Sequence, residues 1–278
     1  MSFCNDFETL DDKCCQGPGA CNFSQLAGRF SICKGSCNGA SACNFGSSGG
    51  TSAVVSSIGK YSCRGFFACD DVGARSESVS IGDNSCTGMA ACSAAGYTLF
   101  TSESVSIGDN SCTENHACGS AGAHSKSFYV GDTSCTGENA CEYVGNFGLG
   151  CQGPPEGEQK SLEGGRVTIG DNSCWGNWSC TGLGDACSSG YIASEYPKRE
   201  RVSVGNNSCR GEESCHELGK YRAGSVTVGE FKEDATATCD GAYSCDSCDC
   251  AVAGQSLTVP EGTPKCDTSQ FCPASKMS

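Results

Sequence analysis

A cysteine follows another at a spacing of C-x5-C ten times along this chain, and that recurrence restricts the folds open to it more than any other feature. The pairs are Cys15 and Cys21, Cys37 and Cys43, Cys63 and Cys69, Cys86 and Cys92, Cys112 and Cys118, Cys135 and Cys141, Cys174 and Cys180, Cys209 and Cys215, Cys239 and Cys245, and Cys266 and Cys272. They hold 20 of the 27 cysteines in 278 residues. From Cys37 to Cys135 the first cysteines of successive pairs lie 26, 23, 26 and 23 residues apart. A period of that size is one turn of a solenoid, in which each repeat packs only on its neighbours.

A strand-like phrase precedes most pairs: "SVSIG" at 78–82 and 104–108, "SFYVG" at 127–131, "RVTIG" at 166–170, "RVSVG" at 201–205 and "SVTVG" at 225–229. Apolar and polar residues alternate in these phrases, the period of a strand with one buried face. Val79, Ile81, Val105, Ile107, Val130, Ile169, Val202, Val204, Val226 and Val228 are predicted to face the interior. Ser80, Ser106, Thr168, Ser203 and Thr227 are predicted to face solvent, and a one-residue slip would invert both sets. "GDNS" then makes a corner, because Gly, Asp and Asn tolerate the backbone of tight turns. A second corner is expected at glycines such as Gly96, Gly122 and Gly145. Variable lengths fall on one side of the repeat, where 146–166 and 185–200 are insertions that bulge outward without breaking a stack.

The apolar side chains are too few for a broad core: 12 Phe, 8 Tyr, 3 Met and 2 Trp, against 39 Gly. Short disulfides supply what burial cannot. Gly stands two residues after the first cysteine in eight of the ten units, and Ala or Ser just before the second in nine. Small residues let the chain approach itself so that each pair closes within its own repeat, worth roughly 2 kcal/mol in the chain-entropy model. The predicted fold is all-β, a disulfide-braced β-solenoid of about nine or ten coils. Residues 1–36 are read as a Cys-rich N-terminal cap, 37–254 as the solenoid and 255–278 as a C-terminal cap. Cys151 and Cys187, in the two insertions, are candidates to bridge each other. Cys4, Cys14, Cys33, Cys248 and Cys250 are also outside the pairs; with Cys151 and Cys187 they make seven, an odd number that leaves at least one thiol unpaired within the chain.

Cysteine at this density points to an oxidising compartment. The opening residues "MSFCNDFETLDD" lack the basic and apolar regions of a signal peptide, so either the protein is reduced and cytosolic or, as expected from so many thiols, the numbering begins at a processed terminus. A formal charge of −14 argues against nucleic acid or an anionic membrane as partner. No apolar run approaches the roughly 18 residues of a membrane span.

The phrase IGDNSC-x-G-x-x-AC resembles cysteine-rich repeat proteins encoded in many copies by diatoms and related microalgae. The resemblance covers about Cys37 to Gly254 and brings no catalytic residues. The C-x5-C spacing is similar to that of disulfide-braced β-solenoid antifreeze proteins of beetles, which carry a Thr-x-Thr ladder on a flat face. The corresponding outward pairs here are Ser78 and Ser80, Ser104 and Ser106, Ser127 and Tyr129, Arg166 and Thr168, Arg201 and Ser203, and Ser225 and Thr227. Tyr129, Arg166 and Arg201 interrupt such a face.

Asp83, Asp109, Asp132 and Asp171 occupy equivalent corners and are expected to stack at the strand spacing of roughly 4.8 Å. Either a row of calcium ions lies between these carboxylates or the acids cap their turns and bind no metal. Otherwise no cofactor is expected. Cys245 and Cys248 in "CDGAYSCDSCDC" form a C-x2-C without a second such pair, so disulfides are expected there rather than a metal-thiolate site. His116 and His216 read as surface residues. Asn22, Asn177 and Asn206 head N-x-S/T sequons, candidates for glycosylation in a secreted protein. The nucleophile-elbow, zinc-protease, P-loop and dinucleotide motifs are absent, and no catalytic residue is assigned. The expected function is that of an extracellular structural protein, a subunit of a surface fibre, matrix or adhesive filament. It would self-associate end to end, with glycans or matrix as partners. The alternatives are an ice- or mineral-binding face and a carbohydrate-active β-helix enzyme.

Overall fold

The structure, a computed structural model, describes residues 15–22, 30–32, 35–44, 55–72, 78–96, 104–123, 126–145, 166–183, 201–216, 223–229 and 255–259. Its strands are β1 (Cys21–Asn22), β2 (Phe30–Ile32), β3 (Cys43–Asn44), β4 (Val55–Ile58), β5 (Ser78–Ile81) and β6 (Ser104–Ile107). They continue as β7 (Ser127–Val130), β8 (Arg166–Ile169), β9 (Arg201–Val204), β10 (Ala223–Val228) and β11 (Gln255–Val259). No helix occurs among the described residues. Nine strands, β2 and β4 to β11, form one sheet in chain order, and every neighbouring pair is parallel. Each coil therefore returns to lay its strand beside the one before. Eight steps at roughly 4.8 Å give a stack about 38 Å high.

The period-two pattern sets which face turns inward. Register places Val79, Val105, Phe128, Val167, Val202 and Val226 in one column. Ile58, Ile81, Ile107, Val130, Ile169, Val204 and Val228 form a second, and all of these side chains are at most 2% exposed. The alternate residues Ser80, Ser106, Thr168, Ser203 and Thr227 are half-buried, because each has a ladder neighbour on either side. Glycine faces this column at Gly96, against Val105, and at Gly122, against Phe128. A Cβ on Gly122 would lie 2.6 Å from the Phe128 ring.

Disulfides form the opposite wall. Eight C-x5-C pairs are bonded: Cys15 with Cys21, Cys37 with Cys43, Cys63 with Cys69, Cys86 with Cys92, Cys112 with Cys118, Cys135 with Cys141, Cys174 with Cys180 and Cys209 with Cys215. Their Cα–Cα separations run from 5.4 to 5.6 Å. The remaining two units, Cys239 with Cys245 and Cys266 with Cys272, lie outside the described residues. So do Cys151 and Cys187, and Cys4, Cys14, Cys33, Cys248 and Cys250. Both sulfur-bearing positions are spaced along the stack by backbone hydrogen bonds. Cys86 N–H donates to Ser111 O in the next coil, and Cys92 N–H to Ala68 O in the previous one. Cys69 N–H likewise reaches back to Ala42 O. Away from the strand, the chain advances through left-handed residues at fixed places in the coil, for example Asn110, Cys112, His116 and Ser120 with φ between 53° and 54°. An L-residue there costs roughly 1 kcal/mol or more, so these corners hold their shape because the disulfide and the inter-coil bonds fix them.

The sheet extends into both segments read from sequence as caps. β2 lies within 1–36 and β11 within 255–278, and each adds a parallel strand to its neighbour. "FSI" and "QSLTV" keep the alternation of a strand, and a stack with an unfilled edge accepts any such segment within reach.

Candidate functional site

Three outward surfaces and one buried ladder arise from the stacking. The ladder is made by the serine that precedes the first cysteine of seven units: Ser36, Ser62, Ser85, Ser111, Ser134, Ser173 and Ser208, each at most 1% exposed. Ser111 Oγ donates to Gly131 O of the next coil at 2.7 Å and accepts the N–H of Ser134 at 3.1 Å. Ser85, Ser134 and Ser173 repeat the arrangement. Each hydroxyl thus satisfies one donor and one acceptor that the sharp corner would otherwise leave unpaired. The recurring Ser-Cys dipeptide was the available sequence signal. It reads there as turn composition, since hydroxyls in corners are common.

Beside the ladder runs the acid column. Asp83 Oδ1 accepts the N–H of Lys60 at 2.6 Å, Asp109 that of Asp83 at 2.7 Å, Asp132 that of Asp109 at 2.8 Å and Asp171 that of Asp132 at 2.9 Å. Asn206 continues it by accepting from Asp171 at 2.9 Å. The stacking brings the four acids together, and one oxygen of each is committed to bracing the preceding coil. Among the described residues, groups of three or more potential ligand atoms within 4.8 Å occur only at cysteines such as Cys112, Cys118 and Cys135, whose sulfurs are in disulfides. Tyr129 projects near the column. Burial pushes its phenol above the ordinary value, and the charges of Asp171 and Asp132 push it further.

The outward side of the sheet is hydroxyl-rich. Ser57 Oγ donates to Ser80 Oγ at 3.2 Å, and Ser106, Tyr129, Thr168 and Ser203 follow in the same column. Tyr129 stands out of it, 45% exposed. In the parallel column Arg166 and Arg201 are direct cross-strand neighbours.

The third surface is the C-x5-C face, whose side chains differ from coil to coil. Near the start it is apolar: Phe66 is 50% and Met89 45% exposed, and the Phe66 and Phe67 rings meet edge-on at 4.2 Å. Farther along it becomes polar and aromatic. Both tryptophans fall in one unit, "CWGNWSC". Trp175 is fixed, with its indole N–H donating to Thr133 O at 2.6 Å and the Arg210 guanidinium 4.7 Å from the ring centroid. Trp178 is exposed. In the preceding coils Glu142 lies over Gly119, its Cγ 3.7 Å from where a Cβ would stand. Burial raises the Glu142 carboxyl above the usual range, while His116 and a hydrogen bond with Tyr143 pull it back. His116 is half-buried in this cluster rather than a fully solvated residue, and His216 is half-buried two coils beyond Glu142. Sequence reading did not group these side chains, because 26 residues separate His116 from Glu142.

A second acidic spot lies at Asp70 and Asp71. Burial raises the Asp70 carboxyl, the charge of Asp71 raises it further, and a hydrogen bond with Asn44 opposes both. Of the sequons, Asn177 is exposed and Asn206 half-buried, and both use Oδ1 to accept a backbone N–H of the preceding coil. Asn22 lies in β1.

The model of a family described as a domain of unknown function, DUF7640, matches residues 1–105 and, in a second overlapping match, 58–148. No curated protein and no solved structure matches the chain.

Proposed function

The chain belongs to the DUF7640 family, and on that premise we propose that this disulfide-rich repeat protein is an extracellular structural subunit of a surface fibre, matrix or adhesive filament. The observation that carries the proposal is the uninterrupted parallel sheet. Among the described residues its outermost strands, β2 and β11, each pair on one side only. Two such edges are complementary, and a head-to-tail contact between them does not close on itself but propagates into a filament. Eight short disulfides suit a rod that must survive outside the cell, and no helix of the described residues is long and apolar enough to cross a membrane. The chain is given a scaffolding role without a reaction of its own. Sedimentation velocity and electron microscopy on oxidised full-length protein test it: rods longer than one subunit are expected, and a strictly monomeric species at all concentrations would overturn it.

A second reading, an ice- or mineral-binding face, draws on the hydroxyl columns of the sheet with their regular spacing. Tyr129, Arg166 and Arg201 break that regularity, which favours the filament. Thermal hysteresis in a freezing assay would reverse the preference.

A further inference from the structure

We infer that the four disulfides from Cys112 to Cys215 form a column along which thiol–disulfide exchange passes from coil to coil. The inference is independent of the filament reading. It begins with the sulfurs. Those of Cys112, Cys118 and Cys135 lie within 4.8 Å of one another, and the same holds for Cys135, Cys141 and Cys174 and for Cys174, Cys180 and Cys209. Each trio is one disulfide plus the first sulfur of the disulfide in the next coil. Three trios therefore join four disulfides into one run of sulfur. The insertion at 146–166 falls between Cys141 and Cys174 and leaves the spacing intact. Among the described residues, the disulfides from Cys15 to Cys92 form no such trio.

Burial confines the chemistry of this run. All eight of its cysteines are 0% exposed, so a thiol or oxidant in solvent does not reach them while the coils are folded. A thiolate that arises inside has a neighbouring disulfide as its reaction partner, at the high effective concentration of groups held in place. The starting thiol is a column cysteine that lacks its partner sulfur. An odd total of 27 cysteines leaves at least one thiol without a partner in the chain. A thiolate at Cys118 attacks the Cys135 sulfur: the Cys118–Cys135 bond forms, the Cys135–Cys141 bond breaks, and the electron pair leaves on Cys141. Cys141 then attacks Cys174 and releases Cys180, and Cys180 attacks Cys209 and releases Cys215. Every step makes one S–S bond and breaks one, so no oxidant or reductant is consumed. The product is a second register, Cys118–Cys135, Cys141–Cys174 and Cys180–Cys209, whose links run between coils rather than within them. The defect left by one lost rung has then moved to the end of the column.

Cys112→Ala in the oxidised full chain leaves the Cys118 thiol beside Cys135 and tests the inference. The variant is purified in acid, incubated at mildly alkaline pH, alkylated at intervals and mapped as peptides without reduction. The thiol is expected at Cys118 first and then at Cys141, Cys180 and Cys215, while peptides joined through Cys118–Cys135 appear. Below the pKa of the thiol the rate should rise about tenfold per pH unit, following the thiolate fraction. Cys118→Ala leaves Cys112, also within 4.8 Å of Cys135, and should give the Cys112–Cys135 link; it serves if the first variant fails to fold, which the melting temperature checks. Cys63→Ala, outside the run, should keep its thiol at Cys69. In a mixture of isotope-labelled and unlabelled chains, the new links should join peptides of one label only. A thiol that stays in place in both column variants, equal migration in Cys63→Ala, or links between differently labelled chains would overturn the proposal.

Discussion

Replacing Ser111 by Ala isolates the buried serine ladder. The methyl of Ala fits where the hydroxymethyl stood, so no cavity of consequence opens. What changes is hydrogen bonding at a fully buried position. Ser111 Oγ accepts the Ser134 N–H at 3.1 Å and donates to Gly131 O at 2.7 Å, and it also reaches Asp109 O at 3.1 Å. Its loss leaves the Ser134 N–H without that acceptor inside the wall, away from water. An orphaned buried donor costs about 1–3 kcal/mol, more than the net value of a typical bond. The expected loss is therefore about 2 kcal/mol, against about 0.5 kcal/mol or less for Ser106→Ala on the outward side of the sheet. Guanidinium unfolding under non-reducing conditions measures the difference. Hydrogen exchange adds a local test: the Ser134 amide should lose protection in Ser111→Ala and keep it in Ser106→Ala. If the two variants unfold alike and the Ser134 amide stays protected, the ladder is incidental to stability.

Replacing Cys112 and Cys118 together by Ala should cost roughly 2 kcal/mol, the chain-entropy value of so short a loop, read as a lowered midpoint in denaturant. Gly82→Ala should cost more, about 3 kcal/mol in all, because its Cβ would lie 2.6 Å from the Gly108 carbonyl carbon and nearer still to the Asp109 carboxylate. Asp70→Asn should raise the melting temperature at pH 7. The folded state holds the Asp70 carboxyl above its ordinary value, so the folded protein binds its proton more tightly than the unfolded chain and the ionised group opposes folding. That advantage should shrink as pH falls through the carboxylate range, and an equal gain at every pH would refute the cause. Because the corner acids already accept backbone N–H groups, EDTA is expected to leave the melting temperature unchanged; a fall reversed by calcium would assign the column to metal.

The strand alternation and the eight described disulfides, both features of a single coil, were legible in the sequence. The inward set from Val79 to Val228 follows from alternation over four residues, since a strand sends successive side chains to opposite faces. The C-x5-C pairs follow from a separation too short to leave much choice of partner. Neighbours between coils were not legible in the same way. Register sets Ser127 of β7 beside Arg166 of β8 across an insertion whose length the sequence does not explain, and only the completed stack shows which residue returns opposite which. The serine ladder, the bracing role of Asp109 and the meeting of His116, Glu142 and Tyr143 are all contacts of this kind. Each depends on where a later coil comes to rest. That placement is fixed by dozens of backbone bonds acting together along the stack, and no single stretch of residues encodes it.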